Sequence, residues 1–116
     1  MRRTVLIVDD HAAFRSAARA LLEADGFDVV GEAADGASAL AAARRLRPDV
    51  VLLDVHLPDV DGFAVAELLP RDGPAIVLTS SRSAAAFRRR LAANPRLTFI
   101  AKDELSGTTL AAAVPG

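Results

Sequence analysis

With 116 residues, 52% of them hydrophobic and 25% charged, the chain has the size and composition of one folded domain, which we assign to residues 1–116. Its formal net charge of −1 argues against binding to nucleic acid or to an anionic membrane, and the absence of cysteine excludes disulfides and thiolate metal sites. Only five apolar or near-apolar residues precede Asp9, too few for a signal peptide, and no later run approaches the roughly 18 residues that span a bilayer, so a cytoplasmic protein is expected.

Five short apolar runs are predicted to be β-strands. The runs are rich in β-branched residues and nearly continuous, which is typical of strands buried on both faces of a parallel sheet. In chain order they cover residues 5–8, 29–30 with their flanks, 50–53, 75–78 and 97–101.

A helix is predicted after each strand. In chain order the helices cover about residues 11–24, 37–46, 61–70, 84–94 and 106–113. The apolar stripe of the first helix consists of Phe14, Ala17, Ala18, Leu21 and Leu22. Gly26 follows this helix as a stop signal. Asp61 and Ser83 are expected to cap the third and fourth helices, with a tight turn at Gly62.

The alternation of strands and helices predicts an α/β fold, a (βα)₅ doubly wound parallel sheet with helices on both faces. In such a sheet the ligand site lies beyond the carboxyl ends of the strands. The polar residues that end the predicted strands are Asp9, Asp10, Asp54, Thr79, Ser80 and Lys102. We therefore expect these side chains to meet at one edge of the sheet, which we call the rim.

Three carboxylates at one rim repel each other. Two unit charges about 4 Å apart cost roughly 4 kcal/mol at an effective dielectric constant of about 20. Lys102 can offset one charge and a hard divalent cation the rest, and oxygen ligands without cysteine favour Mg²⁺. Such a site suits phosphoryl transfer, because a carboxylate can attack a phosphoryl group whose oxygens are held by a metal, a lysine and a hydroxyl.

Four segments of the chain resemble the response-regulator receiver family. Val-Leu-Ile-Val-Asp9-Asp10-His11 is similar to its first strand and acidic pair. Val-Val-Leu-Leu-Asp54-Val-His-Leu-Pro58-Asp-Val-Asp61-Gly62 is similar to its phosphoacceptor strand and the loop beyond. Ala-Ile-Val-Leu-Thr79-Ser80 and Phe99-Ile-Ala-Lys102 are similar to the ends of its fourth and fifth strands. The match runs in order from about residue 4 to residue 113, nearly the whole chain.

This resemblance implies a fold and a phosphorylation site. The fold would be flavodoxin-like or CheY-like, with strand order 2-1-3-4-5, and Asp54 would be phosphorylated. Mg²⁺, with Mn²⁺ as the alternative, would be held by the side chains of Asp10 and Asp54 and by the backbone carbonyl of His56. Asp9 would reach the metal directly or through water.

The resemblance also implies a switching mechanism. Thr79 would hydrogen-bond the phosphoryl group, Lys102 would pair with it, and the ring of Phe99 would change rotamer with Thr79. The chain would be a phosphoacceptor switch of a two-component system that alters the face formed by its fourth helix, fifth strand and fifth helix. It would take its phosphoryl group from a histidine kinase or phosphotransfer protein and slowly dephosphorylate itself. A homodimer is an alternative state, and no direct nucleic-acid or membrane contact is expected.

Three positions depart from the commonest family pattern. Asp103 follows Lys102, so the cis-proline turn often found there is absent. Phe99 lacks a tyrosine hydroxyl, and Asn94-Pro95-Arg96-Leu97 replaces the small loop usual before the fifth strand. The geometry of that edge is therefore left open.

The two histidine side chains are assigned no metal, and the arginines allow two interpretations. His11 is expected to start a helix and line the rim, and neither its side chain nor that of His56 is expected to bind metal. A basic cluster around the fourth helix is either a solvated face or a partner surface. This cluster consists of Arg82, Arg88, Arg89 and Arg90.

Two other functions stay open. An aspartate-nucleophile phosphatase needs a second acid two residues after the nucleophile, where this chain has His56. A receiver-like interaction module that is not phosphorylated would not need the intact set of site residues. The chain is expected to be either a stand-alone regulator or a receiver excised from a longer transcription factor, and the sequence does not decide between them.

Overall fold

A computed structural model describes residues 2–114, and within them five strands alternate with five α-helices. The strands are β1 (Thr4–Val8), β2 (Asp28–Ala33), β3 (Val50–Asp54), β4 (Ala75–Ser80) and β5 (Thr98–Ala101). The helices are α1 (Ala12–Ala24), α2 (Gly36–Leu46), α3 (Gly62–Leu68), α4 (Arg88–Ala92) and α5 (Gly107–Ala113). All strand pairs are parallel in the order β2-β1-β3-β4-β5, which confirms the predicted doubly wound fold. Of the predicted domain over residues 1–116, Met1, Pro115 and Gly116 lie outside the described residues.

The two faces of the sheet carry separate cores, because side chains alternate along a strand. One core contains Leu6, Leu53 and Leu78 and is covered by α2 and α3. The other contains Ile7 and Leu52 and is covered by α1 and α5. All five residues of β3 are buried, since this central strand is covered on both faces.

The register of the strands aligns their carboxyl ends. Asp54, the last residue of β3, pairs with Thr79 of β4, and Ser80 pairs with Ala101 of β5. β1 lies beside β3 on its other edge and runs in the same direction. The residues that follow β1 and β5 therefore reach the same edge of the sheet as Asp54.

Two residues of the predicted apolar stripe of α1 do not lie in the core. Ala18 and Leu22 are buried and Phe14 is partly buried, but Ala17 and Leu21 are exposed. Helix α1 thus buries a narrower face than predicted from the sequence, because only the row of Phe14, Ala18 and Leu22 packs against the sheet. Within residues 2–114, no helix is both long enough and apolar enough to cross a membrane.

The predicted fourth helix is broken into two short pieces. A 3₁₀ turn covers Ala84–Phe87, α4 itself has five residues, and the side chain of Ser83 makes no capping hydrogen bond. Phe87 is buried and Leu91 is partly buried, while the arginines between them are exposed. This segment has too few apolar contacts to stabilise a longer helix.

Arg96 satisfies carbonyl groups at the carboxyl end of α3. Its guanidinium donates to the carbonyl oxygens of Leu69 at 3.2 Å and Pro70 at 2.6 Å, and to that of Ala66 at 3.4 Å. Carbonyls at a helix end have no partner further along the helix. The loop of residues 94–97, which contains Arg96, therefore stabilises the carboxyl end of α3.

Replacing Arg96 by methionine is expected to lower the free energy of unfolding by about 1 to 2 kcal/mol, because it removes charge-assisted hydrogen bonds but keeps an apolar stem. Urea unfolding followed by circular dichroism measures the change. Arg71→Met, at an exposed residue near the same end of α3, is the control and should be close to neutral. Equal losses in both variants would contradict this role of Arg96.

Candidate functional site

The rim places one ammonium group between two buried carboxylates. Nζ of Lys102 lies 2.6 Å from Oδ2 of Asp9 and 3.5 Å from Oδ2 of Asp54. Asp9 is fully buried, Asp54 is 3% exposed, and the side chain of Lys102 is 18% exposed. Because these residues follow β1, end β3 and follow β5, the parallel register brings them together, as predicted from the sequence.

Asp10 and His11 complete a cluster with these carboxylates. Each of Asp9, Asp10, His11 and Asp54 offers one ligand atom, and these atoms lie within 4.8 Å of one another. Nδ1 of His11 is 3.1 Å from Oδ1 of Asp9 and 3.0 Å from Oδ1 of Asp10. The sequence indicates only that His11 lines the rim, and this close approach of the imidazole to both carboxylates was not predicted from it.

The environment of Asp54 disfavours its charged form. Burial raises the pKa of Asp54 above its ordinary value, and the charge of Asp9 raises it further. Lys102 and the His56 N–H, which lies 3.3 Å from Oδ1 of Asp54, act in the opposite direction. The rim thus carries more negative charge than one ammonium offsets.

Phe14 contacts Lys102 from α1. The ammonium nitrogen lies 4.5 Å from the centroid of the Phe14 ring. Such a cation–π contact attracts the ammonium group and restricts its direction. Phe14, which is predicted to lie in the apolar stripe of α1, is partly buried and makes this additional contact at the rim.

Arg15 contacts the backbone at the start of the site. It donates to the carbonyl oxygen of Asp9 at 2.6 Å and to Glu32 at 3.0 Å. Arg19 also donates to Glu32, at 2.8 Å, and this hydrogen bond is the main reason that the pKa of Glu32 is lowered. These interactions join α1 to β2 beside Asp9.

Thr79 presents a buried hydroxyl that has no hydrogen-bond partner among residues 2–114. Because Thr79 pairs with Asp54 across β3 and β4, both side chains leave the sheet on the same face. Ser80 differs, since its hydroxyl accepts the N–H of Arg82 at 3.0 Å in the turn after β4. An unpartnered buried hydroxyl is costly and is typical of a position that meets a ligand.

The loop after β3 returns close to Asp54. The N–H of Gly62 donates to the carbonyl of Val55 at 2.8 Å. A Cβ on Gly62 would overlap the carbonyl oxygen of Asp54 and lie 2.9 Å from Cα of Val55. Gly62 does not have a positive φ, so the glycine is required here by the close approach of two backbones and not by a left-handed conformation.

Phe99 contacts the 3₁₀ turn that precedes α4. Its ring centroid is 5.6 Å from that of the buried Phe87. Phe87 is also 6.1 Å from Phe63 and 6.0 Å from the ring of His56. The ring of Phe99, which is predicted to switch, therefore belongs to a cluster of aromatic rings that extends from β5 to the loop after β3.

The basic cluster around α4 is partly structural. Arg90 donates to Oδ2 of Asp61 at 2.8 Å, and its guanidinium carbon lies 3.9 Å from the centroid of Phe63. Oδ1 of Asp61 accepts the N–H of Phe63 at 2.7 Å, which is the predicted cap of α3. Arg88 and Arg89 are exposed. Arg90 therefore joins α4 to α3, while its neighbours remain on a solvated face.

Known proteins similar to this chain include a named transcriptional regulator, a protein-glutamate methylesterase and a response regulator. The family model described as "Response regulator receiver domain" matches residues 5–114. A Pseudomonas aeruginosa protein named as a transcriptional regulator is 46% identical over 112 residues, which are 93% of this chain and 54% of that protein. Protein-glutamate methylesterase/protein-glutamine glutaminase 6 of Anaeromyxobacter dehalogenans is 46% identical over 110 residues, which are 91% of this chain and 31% of that protein. The crystal structure of a two-component response regulator of the LuxR family from Aurantimonas sp. SI85-9A1 superposes with a TM-score of 0.83 and 28% identity, covering 97% of this chain and 82% of that chain.

The chain belongs to the response regulator receiver domain family and is the receiver domain of a two-component response regulator. Domains of this family are generally signalling switches, and they interact with histidine kinases and phosphotransfer proteins. The cluster of Asp9, Asp10 and Asp54 is typical of their Mg²⁺ site. The chain spans about half the length of the first curated relative and about a third of the second, so their other activities belong to longer proteins.

Proposed function

We propose that this chain is a phosphoacceptor switch in which Asp54 accepts a phosphoryl group with Mg²⁺, or Mn²⁺, bound at the rim. The observation that supports this most is the convergence of Asp9, Asp54 and Lys102 beside the unpartnered hydroxyl of Thr79. A cation would neutralise the excess carboxylate charge, and phosphoryl oxygens would accept from the ammonium and the hydroxyl.

The residues at the rim fit a hard divalent cation. The side chains of Asp10 and Asp54 and the backbone carbonyl of His56 would hold it, with Asp9 reaching it directly or through water. All of these are oxygen donors, which Mg²⁺ prefers. The bound cation would supply charge neutralisation for the oxygens of the transferred group.

The carboxylate of Asp54 is the nucleophile in this proposal. One of its oxygens forms an O–P bond while the N–P bond of a partner's phosphohistidine breaks, and the electron pair of that bond stays on the imidazole nitrogen. Lys102 then pairs with phosphoryl oxygens, and Thr79 donates a hydrogen bond to one of them. Hydrolysis of the acyl phosphate is slow, because His56 stands where a second acid would activate water.

Thr79 and Phe99 would transmit the change to the face of α4, β5 and α5. As Thr79 moves toward the phosphoryl group, it leaves space into which the ring of Phe99 can turn. The ring then moves away from Phe87, which lies in the 3₁₀ turn before α4. Phosphorylation thereby favours one of two arrangements of this face.

The phosphoryl donor in this proposal is a histidine kinase or a phosphotransfer protein. We place the chain in the cytoplasm as one receiver domain over residues 1–116, with a homodimer as the alternative state and without direct nucleic-acid contact. An aspartate-nucleophile phosphatase and a non-phosphorylated interaction module are the competing functions. The unpartnered Thr79 hydroxyl and the ion pairs of Lys102 favour the phosphoacceptor.

Incubation with Mg²⁺ and acetyl phosphate, followed by intact mass spectrometry, tests the proposal. The wild-type chain is expected to gain one phosphoryl group, and Asp54→Asn is expected to gain none, because an amide cannot form the acyl phosphate. Asp72→Asn, at an exposed carboxylate in the loop before β4, is the matched control and should be phosphorylated like the wild type.

The same experiment separates the competing functions. Continuous release of phosphate without an adduct would indicate a phosphatase. Absence of both an adduct and phosphate release would indicate an interaction module. An adduct that persists in Asp54→Asn would show that another residue is the acceptor.

A further inference from the structure

We propose that Asp59 is a positioning residue of the metal site. The loop after β3 contains the His56 carbonyl, and Asp59 attaches this loop to the amino end of α2. This inference rests on the proposed function, since it concerns the same metal. Asp59 itself lies outside the acidic cluster and would not contact the metal.

Asp59 binds the amino end of α2 through both carboxylate oxygens. Oδ1 accepts the N–H of Gly36 at 2.8 Å, and Oδ2 accepts the N–H of Ala37 at 3.0 Å. Oδ1 also accepts the N–H of Val60 at 2.9 Å, within the loop. The first amides of a helix have no partner inside it, so they are available to an acceptor from elsewhere. The Gly36 hydrogen bond is the main reason that the pKa of Asp59 is lowered, so the carboxylate is charged at neutral pH.

The loop also packs tightly against α2 at the same point. A Cβ on Gly36 would overlap Cγ2 of Val60 and lie 3.0 Å from Cγ2 of Val65. Val65 is fully buried in α3 and cannot move aside easily. Hydrogen bonds and packing therefore hold the middle of the loop in one position.

This position matters for the metal because His56 would bind through its backbone. Asp59 lies three positions after His56, and the far end of the loop is fixed where Gly62 meets the backbone of Asp54. A backbone carbonyl cannot follow the metal by changing rotamer, so its placement depends on how the loop is held. Groups that orient metal ligands typically contribute about 10- to 100-fold in affinity.

Asp35 offers a matched control on the same helix. Its Oδ1 accepts the N–H of Ser38 at 2.7 Å, so it caps α2, and among residues 2–114 its side chain has no hydrogen bond to the loop. Loss of either carboxylate weakens the amino end of α2. Only loss of Asp59 also frees the loop that carries His56.

The test is calorimetric titration of the full chain with Mg²⁺, which needs no chromophore and suits a chain without tryptophan or tyrosine. Asp59→Ala is expected to raise the dissociation constant for Mg²⁺ about tenfold. Asp35→Ala is expected to stay within about twofold of the wild type. Urea unfolding of both variants shows whether their losses of stability are comparable.

Two further variants keep the inference testable if Asp59→Ala does not fold. Asp59→Asn retains one acceptor oxygen and is expected to bind Mg²⁺ with an affinity between those of the wild type and Asp59→Ala. Gly36→Ala keeps the carboxylate but displaces Val60, and it should also weaken Mg²⁺ binding.

The outcomes distinguish this inference from the proposed function. If the wild type binds Mg²⁺ and Asp59→Ala binds it as tightly as Asp35→Ala, the positioning role is wrong and the proposed function stands. If the wild type neither binds Mg²⁺ nor forms the acyl phosphate, the proposed function fails and the inference fails with it.

Discussion

Replacing Lys102 by methionine is expected to lower the free energy of unfolding by about 3 kcal/mol at neutral pH without added metal. Methionine keeps an unbranched side chain beside Phe14 but removes the ammonium that lies 2.6 Å from Asp9 and 3.5 Å from Asp54. Both carboxylates are buried, so the folded chain would keep two close negative charges without a compensating cation. Urea unfolding at several pH values measures the loss.

The loss has a defined dependence on pH. Burial and Asp9 already raise the pKa of Asp54, whereas Lys102 lowers it, so removing the ammonium raises that pKa further. A carboxyl group whose pKa is higher in the folded state stabilises the fold when protonated. That contribution disappears as the pH rises from the ordinary pKa of aspartate through the raised folded value. The loss in free energy of unfolding caused by Lys102→Met should therefore become smaller as the pH is lowered through this range.

A second substitution at Asp9 provides the control for Lys102→Met. Asp9→Asn removes one of the two charges. In the wild type, Oδ1 of Asp9 accepts the backbone N–H of His11 at 2.8 Å, and the amide oxygen of asparagine can still accept it. The double variant is therefore expected to recover much of the stability lost in the single variant. Additive losses in the double variant, or a deficit independent of pH, would contradict the role given to the ammonium.

Replacing Gly62 by alanine is expected to disturb both the fold and the site. The new Cβ would overlap the carbonyl oxygen of Asp54, and because the obstacle is backbone, the end of β3 or the start of α3 must move. We expect a loss of about 3 kcal/mol in the free energy of unfolding, at the upper end for overpacking. The rate of phosphorylation by acetyl phosphate should fall about 100-fold, since a displacement of about 1 Å at a reacting group has an effect of this size.

Gly26→Ala is the control for Gly62→Ala, because it introduces backbone strain at a glycine far from the phosphorylation site. Gly26 follows α1 with a φ of +95°, and an added Cβ there would meet no atom within 4 Å. Alanine at this position should cost about 1 kcal/mol through its unfavourable conformation and leave the phosphorylation rate unchanged. Equal phosphorylation rates in Gly62→Ala and the wild type would show that the close approach at Asp54 is not needed for the chemistry.

The amino-acid sequence alone was sufficient for the sheet and for the grouping of the charged residues at the rim. Buried parallel strands are recognisable as β-branched runs, and a polar residue that ends such a run must lie at the carboxyl edge. Asp9, Asp54 and Lys102 could therefore be placed together before any distance was known. The cap at Asp61 was also predictable, because capping depends on neighbours only a few residues away.

The tertiary structure decided the features that depend on how distant segments approach each other. Three such features join segments that no local pattern relates. They are the contact of Asp59 with α2, the overlap that excludes a side chain at Gly62, and the hydrogen bonds of Arg96 to the carboxyl end of α3 and the residues just beyond it. The exposure of Leu21 and the breaking of the fourth helix have the same origin. Periodicity shows which residues could share a face, but the packing angle between elements determines how much of that face is buried.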